Sequence, residues 1–148
     1  MMPRTNADPF RGKSLAWLKK KAWNLLSQIV RRSAANLNGH CLCYTCNRWM
    51  HWKYDAEAGH AIPGRHGAVL FDEEIIRVQC RQCNSKFHGK GGNYQVFIAK
   101  LIREHEPGGL EWWEQKLLDS HRNVKWNRAD LIERIKNYQH CQARLEKL

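Results

Sequence analysis

Cys43-Tyr-Thr-Cys46 and Cys80-Arg-Gln-Cys83-Asn84, with Ala58-Gly-His60 and Pro63-Gly-Arg65 between them and His88-Gly89 just beyond, decide how this chain is read. Two Cys-x-x-Cys pairs have the spacing of a four-thiolate zinc site, in which each pair forms a tight knuckle and gives two tetrahedral ligands to a borderline-soft cation. Cys41 is a third thiol at the first knuckle. The two-residue spacing of the second pair selects Cys43 and Cys46, so the zinc set is Cys43, Cys46, Cys80 and Cys83, with Cys41 and Cys141 left over. The plainer reading is four reduced, buried cysteines. The paired spacing, in a chain with no apolar secretory leader, favours metal over both that reading and disulfides.

Working outward, the chain has 148 residues, enough for one modest core with helical additions. Its 25 Lys and Arg against 14 Asp and Glu give a formal charge of +11, which favours a polyanionic partner through counterion release. Nucleic acid is the first such partner and an anionic membrane surface the second. No apolar run approaches the roughly 20 residues that span a bilayer, so a soluble, cytoplasmic protein without a membrane partner is expected.

Residues 1–11 hold two prolines and no periodicity and read as a flexible arm. The segment 12–39 reads as a basic amphipathic helix: Ser14 is the N-cap, and Leu15, Leu18, Ala22, Leu25, Leu26 and Ile29 recur at helical spacing. Lys19, Lys20, Lys21, Arg31 and Arg32 decorate it. They are candidate DNA-backbone contacts, with a merely solvated face as the competing reading. Residues 40–106 form the zinc-stapled core. There Ala68-Val-Leu-Phe71 and Ile75-Ile-Arg-Val-Gln79 read as short extended runs, and Tyr94, Phe97, Ile98, Leu101 and Ile102 as one face of a helix. Residues 107–148 read as a helical extension, through Leu110, Trp113 and Leu117 and then a last helix capped at Asn127.

His60 is the candidate general base, because a neutral imidazole near its ordinary pKa can deprotonate a water at physiological pH. Asn84 and His88, four residues apart, would face the same way on one helical turn and share a divalent cation. The other histidines have no such setting and read as structural or solvated, with His66 a secondary phosphate contact and Arg65 a DNA contact beside the site.

The run Ala58-Gly-His60, Pro63-Gly-Arg65, Leu70-Phe-Asp72-Glu73, Gln79-Cys80-x-x-Cys83-Asn84, His88-Gly89 and Asn93-Tyr94 resembles the phage lambda NinG (Rap) recombination endonucleases, a branch of the HNH or ββα-metal nucleases, over residues 41–115. The resemblance implies an α+β fold, a small zinc-knuckled ββα-metal (HNH-like) core with flanking α-helices. It also implies structural Zn2+, catalytic Mg2+ or Mn2+, and hydrolytic cutting of branched DNA such as Holliday junctions. His60 matches the base and Asn84 with His88 the metal-binding end of the motif. Two positions depart from the pattern: Gly59 stands where many members carry a metal-ligating Asp or His, and Ile75 where the motif's central Asn tethers the loop beside the base. Glu57 shares a strand face with position 59 and is the substitute carboxylate. A zinc-stapled DNA-binding module without catalysis is the alternative, a protein-interaction role ranks third, and a homodimer is one assembly open to the chain.

Overall fold

Ser14 opens the first helix: in the computed structural model of the chain, which describes residues 7–86 and 89–148, its Oγ accepts the Trp17 N–H at 3.1 Å. Helix α1 spans Leu15–Ser33 and buries Leu18, Ala22, Leu25 and Leu26 along one stripe. That stripe packs on Leu131, Ile135 and Tyr138 of α6 (Arg128–Glu146) and on Ala58 and Ile76 of a central hairpin. Asn127 caps α6 as expected, its Oδ1 accepting the Asp130 N–H at 2.9 Å. The expected arm differs in its described part. Asp8 Oδ1 accepts the Phe10 N–H, and the Phe10 ring enters the α1/α6 core, because an aromatic side chain next to an apolar stripe gains more by burial than a loose tail keeps in entropy.

Two antiparallel hairpins follow. Strands β1 (His40–Leu42) and β2 (Trp49–His51) pair Cys41 with Met50 and carry the first knuckle at their turn. Asn47 closes that turn at φ 59°, a left-handed conformation that asparagine tolerates. Strands β3 (Ala56–His60) and β4 (Ile76–Cys80) pair Glu57 with Gln79, Gly59 with Arg77 and His60 with Ile76. The second knuckle follows directly as a single turn, α3 (Arg81–Asn84), and then α4 (Tyr94–Glu104) and α5 (Gly109–Ser120). The described chain is therefore mixed α+β, with helices around two small sheets. None of its described helices is long and apolar enough to cross a membrane.

Three local expectations change. The run Ala68–Phe71 is not extended: Gly67–Leu70 forms helical turn α2, which sends Val69 into the cluster around Phe97 and Leu101 and its neighbour Leu70 into the α1 cluster. On α5 the buried side is Gly109, Trp113 and Ser120, leaving Leu110 and Leu117 exposed. The helical turn expected from Asn84 to His88 ends at Asn84, with Ser85 extended. The glycine loop returns onto that turn, Lys90 N–H donating to Gln82 O at 2.9 Å and Gly92 N–H to Cys83 O at 2.7 Å, so the carbonyls a longer helix needs are already taken. His88 lies outside the described residues, as does the start of the arm.

Candidate functional site

The knuckles bring Cys43, Cys46, Cys80 and Cys83 together with all four sulfurs within 4.8 Å of one another. Cys41 points into the hairpin core instead and Cys141 is exposed on α6. Thr45 Oγ1 lies 3.5 Å from the Cys43 sulfur, and Cys83 N–H and Asn93 Nδ2–H point at the Cys80 and Cys83 sulfurs. Burial opposes ionisation of Cys43, but hydrogen bonds from backbone groups of Cys80, Cys46 and Thr45 and from the Thr45 hydroxyl bring its thiol down to about 6. Burial, together with the neighbouring sulfurs, pushes Cys80 up to about 12. Four convergent sulfurs with N–H groups aimed at them are the donor set that suits Zn2+, and these four cysteines could hold it.

One strand away stands the second constellation. Side chains alternate along β3, so Glu57 and Gly59 share one face and Ala58 and His60 the other. On the first face Asn84 Nδ2 donates to Glu57 Oε2 at 2.8 Å, and Arg81 Nε lies 3.4 Å from Glu57 Oε1. A Cβ built on Gly59 would lie 3.1 Å from Asn84 Oδ1, so position 59 does face the Asn84 side chain. Glu57 and Asn84 thus offer hard oxygen donors suited to Mg2+ or Mn2+.

On the opposite face His60 is only 8% exposed. Its ring stacks on Trp23 of α1 at 4.8 Å, and its Nε2 sits 3.1 Å from Leu70 O. A carbonyl can only accept, so Nε2 carries the proton and Nδ1 keeps its lone pair. Burial holds the pKa below its ordinary value, opposed by the Leu70 carbonyl, and Arg65 pushes it the same way as burial. His60 is therefore neutral at physiological pH. The loop beside it is held at Ile75 by backbone and by packing. Ile75 O accepts the Ala61 N–H at 2.8 Å, while the fully buried Ile75 side chain packs with Ala61, Ile62, Val69 and Phe97. Lys116 ties the same loop to α5 through Asp72 and Glu74, each within 2.9 Å.

The family model described as Bacteriophage Lambda NinG protein matches residues 8–147. The chain belongs to the NinG family. No curated protein and no solved structure matches it significantly. In this NinG protein the basic residues expected to meet DNA divide into two groups. Lys19 and Lys20 are exposed, stand one turn before Trp23 on α1, and with Lys21 make no ion pair among the described residues. Arg65 places its guanidinium 4.5 Å above the Trp23 ring. Arg31 and Arg32 instead lean on Trp52, and Arg31 also donates to Trp52 O at 3.2 Å. Trp23 and Gln79 were missed by the sequence reading. Trp23 follows the lysines on a helix whose apolar stripe and basic residues were read without it, whereas Gln79 did carry a signal as a lone amide inside an apolar strand.

Proposed function

We propose that this NinG protein is a divalent-metal-dependent DNA endonuclease with an HNH-type ββα-metal core, acting on branched recombination intermediates. One observation carries the reading: the end of β3 sets His60, of defined tautomer, next in sequence to position 59, which faces the Asn84 oxygen beside the Glu57 carboxylate. In the proposed reaction His60 Nδ1 takes a proton from a water as its oxygen attacks phosphorus, and the P–O3′ bond breaks. A divalent cation held by Glu57 and Asn84 would supply charge stabilisation to the phosphoryl group and the departing oxygen. Leu70 O fixes the imidazole tautomer, Trp23 fixes its plane, and Arg65 with Lys19, Lys20 and Lys21 offers positive charge to the DNA backbone. The four cysteines, loaded with zinc, pin the start of α3 and hence Asn84.

The roles separate in a metal titration. His60→Ala should lose about 10² to 10⁴ in cleavage rate at every Mg2+ or Mn2+ concentration, the usual contribution of a general base. Glu57→Ala should raise the metal concentration needed for half-maximal rate and recover part of its activity at high metal. If Glu57→Ala behaved as His60→Ala does, the carboxylate would not be a cation ligand. The burial of His60 and the absent side chain at Gly59 favour the second reading, a zinc-stapled DNA-binding module; it requires both variants to bind DNA normally and neither they nor the wild type to cut.

A further inference from the structure

Gln79 is buried to 0% exposure in β4, directly opposite Glu57 in the strand register, so the two side chains emerge on the same face. Its amide orientation is set by its neighbours. Nε2 donates to Gly92 O at 2.9 Å and to Thr45 Oγ1 at 3.1 Å, and turning the amide over would set oxygen against the Gly92 carbonyl. Oε1 is left without a hydrogen-bond partner among the described residues. A buried acceptor in that condition is costly unless something fills its lone pairs. The oxygen is aimed at a definite point: a Cβ on Gly59 would stand 1.9 Å from Gln79 Oε1 and 3.1 Å from Asn84 Oδ1.

We propose that Gln79 supplies an oxygen ligand to the divalent cation of the Glu57–Asn84 site, occupying the place that a side chain at position 59 would fill. The proposal rests on the reading of Glu57 and Asn84 as cation ligands and adds to it. Two amide oxygens and one carboxylate are a hard, oxygen-only donor set for Mg2+ or Mn2+. It also accounts for Gly59. Any larger residue there collides with the Gln79 amide, and glycine leaves the room that amide needs.

The test measures Mn2+ binding to the full, zinc-loaded chain without DNA, by the loss of the free Mn2+ electron paramagnetic resonance signal. Gln79→Ala should weaken Mn2+ binding about 10-fold or more. Gly59→Asp in the Gln79→Ala background should restore it, because the shortened residue clears the space for a carboxylate at 59. Zinc content and the thermal transition report whether each variant folds. A second measurement needs no variant: in the wild type, titration with Mg2+ should shift the Gln79 side-chain amide resonances together with those of Asn84. If Gln79→Ala binds Mn2+ as tightly as the wild type, or its amide stays unmoved while Asn84 shifts, a buried water fills the Gln79 acceptor and the proposal is overturned. If the wild type binds no Mn2+ at all, the Glu57–Asn84 reading itself fails, a result distinct from failure of Gln79 alone.

Discussion

His60 shows how one residue's environment selects its chemistry. Burial against Trp23 disfavours the imidazolium, and the Leu70 carbonyl holds the proton on Nε2, so the side chain is kept in the one state that can accept a proton at Nδ1. The sign of the pH dependence follows. A base whose pKa is depressed is already deprotonated at lower pH than an ordinary histidine, so the cleavage rate should be flat from about pH 6.5 upward and fall only below it. A rate that still climbs steeply between pH 7 and 8, measured at saturating metal and DNA, would place the essential base elsewhere. The pattern Gly59-His60 was legible in the sequence as a candidate base. Its partner Trp23 was not, because nothing in a helical period shows which strand end an aromatic ring on the half-buried edge of α1 will cover.

At the level of elements, the knuckles and the loop between β3 and β4 share the work of holding the site. The cysteine cluster was readable because ligand spacing is a local property: two tight turns fix their sulfurs whatever the rest of the fold does. Cys80→Ser should release zinc and lower the thermal transition sharply, since metal binding supplies much of a small metal domain's folding free energy. Retention of one zinc per chain with an unchanged melting temperature would remove these residues from the metal site. The 61–75 loop was less readable. Ile75 looked like a missing tether, yet the tether runs through its backbone carbonyl and through burial of its side chain. Ile75→Ala should cost about 2–5 kcal/mol, the range for emptying a core position, seen as a lower denaturant midpoint. A change under about 0.5 kcal/mol would mean that the loop is held from elsewhere. The α2 turn and the buried side of α5 escaped the sequence reading for a related reason: both are set by tertiary clusters contributed by distant segments, which override short-range apolar patterns.

Across the whole molecule, the formal charge is +11, and part of it lies beside His60. Lys19 and Lys20 stand one helical turn from Trp23, which in turn carries Arg65 and His60, so the basic edge of α1 leads to the candidate base. DNA binding should be tolerant of sequence and steep in salt. Replacing Lys19, Lys20 and Lys21 together with alanine should flatten the slope of log affinity against log salt by about one unit for each phosphate no longer neutralised. An unchanged slope would make that edge a solvated face. Divalent-metal-dependent cutting of DNA by this fold is put to the test on the wild-type chain loaded with zinc. It is incubated with branched and with linear DNA, first with no further metal and then with Mg2+ or Mn2+ added. Cleavage of the branched substrate is expected only after Mg2+ or Mn2+ is added, with zinc content unchanged throughout; tight binding of both DNAs with no strand cut under either metal would contradict nuclease function.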